Sequence, residues 1–266
     1  MNEHSNTPQA GNSIPKLTFS QRRPFWTVVI IELLLLLGVA AAGTYATLQE
    51  LDYTAPVWIA FIPIAVVLMV YMTLRRRWGE YGFRSLTKIP KSGWIYYLPL
   101  LAVLATILFK GFRPLTGKEI AFFLCFTLLV AFVEETIYRG LILKTLLRKG
   151  TVLAVAASSV LFAITHVLNA LSGQSLAQTL LQIFYALLVG CALALLWIKN
   201  GNILPLIAFH FVHNLIQFLS ADAESMPADI AILLILSAQC IWLIVAMRKN
   251  RTSLAAAPRT GGAGVL

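Results

Sequence analysis

About eight apolar segments, each long enough to cross a lipid bilayer, follow one another along this chain. A membrane-spanning α-helix needs about 20 predominantly apolar residues, since it rises about 1.5 Å per residue. The segments fall at about residues 25–47, 55–75, 93–110, 118–147, 151–169, 176–198, 202–219 and 228–247. The sequence therefore predicts an all-α, polytopic membrane protein with about eight transmembrane helices.

The composition supports this fold class and argues against nucleic acid as a partner. Of the 266 residues, 59% are hydrophobic and 12% are charged, whereas soluble domains carry about 25% charged residues. The net charge of +10 resides mainly in short connections and tails beside the apolar segments. Because cytosolic Lys and Arg orient membrane helices in this way, we expect a lipid bilayer around the chain and no nucleic acid.

The charges between the segments predict which side of the membrane each connection faces. With the N-terminus in the cytosol, the cytosolic connections are basic and the outer ones mostly acidic. The cytosolic residues are Arg75, Arg76, Arg77, Arg84, Lys88, Lys91, Lys144, Arg148, Lys149 and Lys199, and the outer ones are Glu50, Asp52, Asp222, Glu224 and Asp229. Lys110, Arg113 and Lys118 are basic but fall in a connection that is predicted to lie outside. We therefore expect the bounds of the third segment, or the start of the fourth, to be misplaced. We predict a multi-pass protein of a bacterial-type plasma membrane, with both termini cytosolic.

The two ends of the chain differ from its apolar middle. Residues 1–24 are polar and end in a basic pair, which predicts a disordered cytosolic tail. The apolar stretch that follows is too long for the core of a signal peptide, so it is predicted to remain as a spanning helix. Residues 248–266 are predicted to form a second flexible basic tail. The transmembrane domain then covers residues 25–247.

Ionisable and amide side chains interrupt three of the apolar segments. They are Glu134, Glu135 and Arg139 in the fourth segment, His166 in the fifth, and His210 and Asn214 in the seventh. A charged side chain costs roughly 2.5–3.5 kcal/mol at the centre of a membrane helix, so such residues mark a transport pathway or a reaction site. At 1.5 Å per residue, Glu134, His166 and Asn214 lie about 18–22 Å from the cytosolic ends of their helices, and His210 lies one turn nearer the cytosol than Asn214. We therefore expect them to meet at one level.

The fourth segment combines an ion pair with a separate carboxyl group. Glu135 and Arg139 are four residues apart, a spacing that favours an ion pair along a helix. A purely structural pair is enough to explain both of them. Glu134 projects about 100° away on the helix and has no cation in its own segment. A carboxyl group in an apolar cavity is a candidate general base.

The histidines and the asparagine suggest complementary roles. His210 and Asn214 lie four residues apart on one helix face and could donate two convergent hydrogen bonds to a developing oxyanion. The alternative is a helix–helix hydrogen bond. His166 is expected at the level of Glu134, although a lone histidine can also be a core residue. His213 either shares the cavity or faces a neighbouring helix.

Three short motifs in this chain resemble those of a known protein family. Residues 134–139 match EExxxR, residues 162–166 match FxxxH, and residues 210–214 match HxxxN. Their order and spacing are similar to those of the CPBP intramembrane proteases. That family includes the CAAX prenyl endopeptidases and bacterial proteins described as abortive-infection or bacteriocin-immunity proteins. The resemblance covers about residues 118–220.

The resemblance implies an eight-helix fold and hydrolysis of a peptide bond. Glu134 would then activate the water, and His166 would position or polarise it. His210 and Asn214 would form the oxyanion hole. Glu135 and Arg139 would support the site.

The sequence leans against a bound metal. Members of the family are often called metalloproteases, and a glutamate-dependent mechanism without metal is also proposed for them. There is no HExxH motif here, and Cys125, Cys191 and Cys240 lie in apolar segments without CxxC spacing, as small buried side chains would. If zinc binds, the candidate ligands are Glu134, His166 and His210, with His213 as a further nitrogen donor. No cofactor is favoured.

Three functions stay open from the sequence. The leading one is an intramembrane endopeptidase that acts on a peptide or membrane-protein substrate in or beside the bilayer. The second is a non-catalytic membrane protein for bacteriocin immunity or scaffolding. The third is a proton- or ion-coupled transporter, because intramembrane Glu, His and Arg also build proton relays. The chain shows no evident inverted repeat, which counts against transport.

Overall fold

The computed structural model describes residues 18–168, 175–221 and 226–256. Within these ranges the chain is helical and contains no strand, only an isolated bridge between Phe112 and Ser220. The principal helices are α1 (Pro24–Leu48), α2 (Ala55–Leu74), α3 (Leu98–Leu108), α4 (Gly117–Glu135), α5 (Thr151–Thr165), α6 (Leu176–Asn200), α7 (Leu204–Leu219) and α8 (Met226–Ala256). The predicted all-α fold class is confirmed.

Six helical stretches of the described chain are long and apolar enough to cross a membrane. They are Pro24–Leu48, Ala55–Leu74, Lys91–Leu108, Gly117–Lys149, Leu176–Asn200 and Met226–Lys249. Thr151–Thr165 and Leu204–Leu219 are shorter apolar helices. These eight stretches correspond in order to the eight predicted apolar segments.

The bundle carries apolar side chains on its outside and polar ones within. Leu34 on α1, Val67 on α2 and Leu234 on α8 are 66–67% exposed, whereas Glu135 and Arg139 are fully buried. Soluble monomers rarely expose contiguous apolar surface of this kind. Together with the six candidate spans, this distribution indicates a multi-pass membrane protein.

Both ends of the chain depart from the predicted tails where they are described. Phe19–Arg22 form a short helical turn inside the predicted N-terminal tail. Helix α8 continues to Ala256, beyond the predicted helix end near residue 247. The rest of both predicted tails, together with Asp222 and Glu224, lies outside the described residues.

Two of the three basic residues that broke the predicted charge pattern are paired with carboxylates in the fold. Lys110 Nζ lies 3.2 Å from Oδ1 of Asp229, and Arg113 Nη1 lies 3.4 Å from Oε1 of Glu119. Helices α3 and α4 occupy the predicted segments, so the expected displacement of a segment is not seen. A basic connection is tolerated at this end of the bundle because carboxylates from α4 and α8 pair with it.

Local sequence signals set the helix ends that place the site. Helix α4 begins at a capping box, in which the Thr116 hydroxyl accepts from the Glu119 N–H and the Glu119 carboxylate accepts from the Thr116 N–H. Helix α6 ends at Gly201, whose φ of 62° is left-handed. Asn202 Oδ1 then accepts from the Leu204 N–H at 3.0 Å. Helix α7 therefore starts at Leu204 and runs back beside α4.

The turn that leads into α7 is anchored on a distant loop. The Ile203 N–H donates to the Gly82 carbonyl oxygen at 2.9 Å. Gly82 has a φ of +93°, and a Cβ atom there would lie 2.7 Å from Nε1 of Trp197. Only glycine accommodates both the positive φ and the lack of space for a Cβ atom. This contact fixes the start of the helix that carries His210 and Asn214.

Candidate active site

The EExxxR segment lies where α4 changes from an α-helix to a π-helix. Helix α4 ends at Glu135, and Thr136–Leu143 continue as a π-helix. Such i→i+5 segments are rare and are frequent at functional sites. Side chains help to satisfy the backbone here, because Thr136 Oγ1 donates to the Phe132 carbonyl at 2.6 Å and Ser158 Oγ donates to the Tyr138 carbonyl at 2.9 Å. Hydropathy did not predict this change of helix type.

Glu135 is the buried centre of the charged cluster. Its Oε1 accepts from Nη1 of Arg139 at 2.9 Å and from Nδ1 of His210 at 2.9 Å. Both members of the Glu135–Arg139 pair are fully buried. Because the carboxylate only accepts, Nδ1 of His210 carries a proton and the other ring nitrogen faces away from Glu135. Glu135 thus joins α4 to α7 in addition to forming the ion pair expected from spacing.

Arg139 reaches a third helix because small residues let α5 and α6 pack closely. A Cβ atom on Gly190 would lie 3.1 Å from the Cα of Ser159. This close approach brings the Gly190 carbonyl within 3.4 Å of Nη2 of Arg139. The guanidinium carbon also lies 4.5 Å from the centre of the Phe162 ring, a cation–π contact. The charge of Arg139 is therefore compensated from three helices.

Phe162 is the packing centre of the site. Its ring lies 5.2 Å from that of Tyr138, 5.2 Å from that of His166 and 5.9 Å from that of His210, measured between ring centres. All three contacts are edge to face, the arrangement that aromatic rings prefer. The phenylalanine of the FxxxH motif thus sets the orientation of both histidines.

His166 lies at the end of α5 and not within it. The predicted segment ran to about residue 169, whereas the helix ends at Thr165 and His166 is its C-cap. The cause is local, because the Phe162 carbonyl accepts from Thr165 Oγ1 at 2.6 Å and from Nδ1 of His166 at 3.0 Å. The His166 N–H bonds to Ala163 instead, one residue nearer than in an α-helix. Nε2 of His166 does not take part in this contact with the Phe162 carbonyl.

The four motif residues proposed for chemistry line one cavity of about 380 Å³. Glu134 comes from α4, His166 from the end of α5, and His210 and Asn214 from α7. Nε2 of His210 lies 3.6 Å from Oε2 of Glu134, just beyond a direct hydrogen bond. Glu135 and Arg139 do not line the cavity and lie behind it. Much of the remaining wall is apolar, with α1, α2, α4 and α6 all contributing.

All of these motif residues fall inside one recognised domain. A family model described as type II CAAX prenyl endopeptidase Rce1-like matches residues 116–216. The chain carries an Rce1-like type II CAAX prenyl endopeptidase domain. This confirms the resemblance to the CPBP family, and the Rce1-like domain covers nearly the range expected from the motifs. No curated protein and no solved structure matches the chain.

The Rce1-like domain does not present a fitting zinc site in this arrangement. Zinc takes three or four Cys, His or carboxylate ligands at about 2.0–2.3 Å. No group of three or more His, Cys, Asp or Glu side chains suited to a metal occurs within residues 18–168, 175–221 and 226–256. The candidate ligands Glu134, His166 and His210 share the cavity without forming such a group. No chemical step is therefore assigned to a metal.

The cysteines take different positions around the bundle. Cys240 is buried and Cys191 is half-buried, but Cys125 is exposed. The prediction of buried cysteines is therefore wrong for Cys125, which lies on the outer face of α4. None of the three lines the cavity.

Sequence reasoning missed two residues near the cavity. Tyr185 of α6 lines it, and its hydroxyl hydrogen-bonds to Nε2 of His213. Glu32 of α1 is 6% exposed, and neither of its carboxylate oxygens makes a hydrogen bond of good geometry within the described chain. It lies close enough to the Tyr138 hydroxyl to interact with it. The sequence signal that could have identified Glu32 is its position as a lone glutamate in an apolar segment. The corresponding signal for Tyr185 is weaker, because it is only a hydroxyl group in an apolar segment.

His213 faces the cavity and also contacts a neighbouring helix, so both of its sequence-based alternatives hold. It lines the cavity beside Asn214 and is 9% exposed. Nδ1 of His213 lies 3.0 Å from Oδ1 of Asn214, and Nε2 contacts Tyr185. Both ring nitrogens are thus occupied by protein groups, so His213 is not free to bind a metal.

Proposed function

We propose that this chain is an intramembrane endopeptidase that hydrolyses a peptide bond in or beside the bilayer. The observation that carries the proposal is the convergence of Glu134, His166, His210 and Asn214 on one cavity inside an Rce1-like domain. Fold alone would not support an activity, because one fold hosts many functions. Here four residues that match the family's motifs, the same Glu134, His166, His210 and Asn214, are among the polar residues of the cavity.

Glu134 is proposed as the general base. Its carboxylate opens onto the cavity, and no lysine or arginine of the described residues is bonded to it. A water molecule between Glu134 and a bound peptide carbonyl would lose a proton to the carboxylate as its oxygen attacks the carbonyl carbon. Glu134 would then return the proton to the leaving amine, as general acid–base catalysis requires. His166 would hold the water through the ring nitrogen that is not bonded to Phe162.

Asn214 and His210 are proposed to stabilise the oxyanion of the tetrahedral intermediate. The amide of Asn214 donates from its NH2 group, and His210 donates when Nε2 carries a proton. Glu135 fixes the His210 ring from the opposite side through Nδ1, 2.9 Å away. Donors that are already in place stabilise developing charge without reorganisation, which is worth several kcal/mol in enzymes of this kind.

The orientation predicted from charge is retained as part of the proposal. In it, residues 25–247 form the transmembrane domain of a plasma-membrane protein with both termini cytosolic. The pairing of Glu80 with Lys144 at 3.1 Å and the bond from Asn202 to the Arg84 carbonyl at 3.0 Å gather the proposed cytosolic connections at one end of the bundle. Lys110, Asp229 and Ser220 gather at the opposite end.

Cleavage of peptides by the purified protein tests the proposal. A panel of fluorogenic peptides, with and without a prenylated C-terminal cysteine, is incubated with wild type and with Glu134→Gln in the same lipid nanodiscs. Cleavage by wild type that is lost in Glu134→Gln supports an endopeptidase. No cleavage of any peptide by correctly inserted wild-type protein would favour the non-catalytic alternative, and proton flux into proteoliposomes without cleavage would favour transport.

A further inference from the structure

The side chains of Asn214 and its neighbour His213 meet in an unusual way. Successive residues on an α-helix project about 100° apart and do not face each other. Nevertheless Nδ1 of His213 lies 3.0 Å from Oδ1 of Asn214. Such a bond between adjacent side chains of α7 forms only when both are turned toward one another. A second contact must therefore hold His213 in this position.

Tyr185 of α6 supplies that contact. Its hydroxyl hydrogen-bonds to Nε2 of His213. The two rings also stack, with centres 5.4 Å apart and planes inclined by 22°. Phe209 packs 5.7 Å from the His213 ring as well. The imidazole is thus fixed by rings from α6 and α7.

With the Asn214 amide as the structure places it, the three hydrogen-bonding groups have one direction. Oδ1 of Asn214 is a carbonyl oxygen and can only accept, so Nδ1 of His213 must carry the proton. In a neutral ring Nε2 then accepts, and the Tyr185 hydroxyl donates to it. The NH2 group is therefore the end of Asn214 that remains free to donate.

We infer that Tyr185 and His213 are positioning residues that hold the Asn214 amide with its NH2 group directed at the oxyanion. The inference rests on the proposed endopeptidase function for its kinetic consequence. Tyr185 and His213 touch no reacting atom in this scheme and act through Asn214. His213 occupies an unspecified position of the HxxxN pattern, and Tyr185 lies outside all three motifs.

Steady-state kinetics test the consequence. Removing an oxyanion donor costs about 10²–10³ in kcat, so Asn214→Ala is expected to lose that much. Tyr185→Phe keeps the stacked ring but removes the hydroxyl, and is expected to lower kcat about tenfold with KM unchanged, since only the transition state uses the oriented donor. In the Asn214→Ala background, Tyr185→Phe should have no further effect. A purely structural Tyr185 would instead give additive losses.

A matched control and a conservative variant sharpen the comparison. Tyr97→Phe removes another buried hydroxyl, which accepts from Nδ2 of Asn200 at 3.1 Å and does not line the cavity. It should leave kcat unchanged. His213→Asn retains an N–H donor near the position of Nδ1, which can still contact Oδ1 of Asn214. It has no counterpart of Nε2, so the hydrogen bond to the Tyr185 hydroxyl is lost. In that background the Tyr185→Phe effect should disappear, and its persistence would overturn the inference.

A measurement without substrate separates this inference from the proposed function. Nitrogen-15 NMR of histidine-labelled protein distinguishes the Nδ1–H from the Nε2–H tautomer, and His213→Asn identifies the signal. His213 is expected in the Nδ1–H form in wild type and to lose it partly in Tyr185→Phe. An Nε2–H tautomer in wild type would refute the proposed direction even in a fully active enzyme. If wild type cleaves nothing while His213 shows the Nδ1–H form, the proposed function fails and the positioning stands.

Discussion

Nδ1 of His210 lies 2.9 Å from Oε1 of Glu135, on the side of the imidazole opposite the cavity. The two adjacent glutamates of the EExxxR motif therefore contact the same histidine in different ways. Glu135 holds the ring from behind, and Glu134 lies 3.6 Å from its Nε2 at the cavity. In the proposed mechanism, Glu135 therefore positions the histidine and Glu134 takes part in the chemistry.

Replacing Glu134 by glutamine should abolish cleavage. The amide keeps the shape of the side chain but cannot accept a proton from water, and general-base contributions are typically 10²–10⁴-fold. The rate of peptide cleavage is the measurement, with the thermal midpoint in detergent expected to match wild type. Glu119→Gln is the matched control, because glutamine also supports a capping box. Undiminished turnover in Glu134→Gln would remove it from the proposed role.

Removing one member of the buried Glu135–Arg139 pair should lower the thermal stability more than removing both members. Arg139→Leu leaves a buried carboxylate without its cation, which typically costs about 3–5 kcal/mol. The double change Glu135→Leu with Arg139→Leu removes both charges and should be less damaging. Thermal unfolding in detergent measures the difference.

The exposed pair of Glu80 and Lys144 provides the comparison for that cycle. Their charged atoms are 3.1 Å apart, but the side chains are 54% and 32% exposed. Surface pairs contribute about 0–1 kcal/mol, so their coupling should be small. Equal coupling energies for the two pairs, or additive losses at Glu135 and Arg139, would mean that burial does not strengthen the inner pair.

Features that depend on neighbouring residues were predictable from the sequence. Long apolar runs predicted the eight helical segments, of which six are long and apolar enough to cross a membrane and two are shorter apolar helices. The spacing of Glu135 and Arg139 predicted their pairing, since residues four apart meet on one helix face. The charge of Lys110 was misleading, because its carboxylate partner Asp229 lies 119 residues away along the chain.

Features that depend on contacts between helices were not predictable. Tyr185 and His213 lie 28 residues apart on α6 and α7, and no periodicity connects them. The π-helix after Glu135 relies in part on Ser158 of α5, a partner that hydropathy cannot reveal. His166 ends its helix because side chains compete for the Phe162 carbonyl, a local effect that an apolar pattern conceals.

Removal of metal should leave activity unchanged. Because the described histidines, cysteines and carboxylates form no metal-binding group, cleavage is expected to survive exhaustive chelation. Elemental analysis should find well under one metal ion per chain. Stoichiometric zinc that is lost in His166→Ala or His210→Ala would show instead that these residues are ligands.

Replacing Glu32 by leucine should stabilise the protein. The Glu32 carboxyl group is buried on α1 without a hydrogen bond of good geometry, and a buried polar group in that condition typically costs about 1–3 kcal/mol. Leucine fills a similar volume and removes this cost. For a chain of this size, 1 kcal/mol corresponds to roughly 2–4 °C in the thermal midpoint. Differential scanning fluorimetry in detergent is the measurement.

Two comparisons make the Glu32 result interpretable. Glu32→Gln keeps a polar group in the same place, so it should stabilise less than Glu32→Leu. Cleavage should be retained in both variants, because Glu32 does not line the cavity. A lower midpoint in Glu32→Leu would show that the carboxyl group has a stabilising partner, for which Tyr138 is the nearest choice. Loss of cleavage without loss of stability would instead connect Glu32 to the site through Tyr138, which lines the cavity one turn after Glu134.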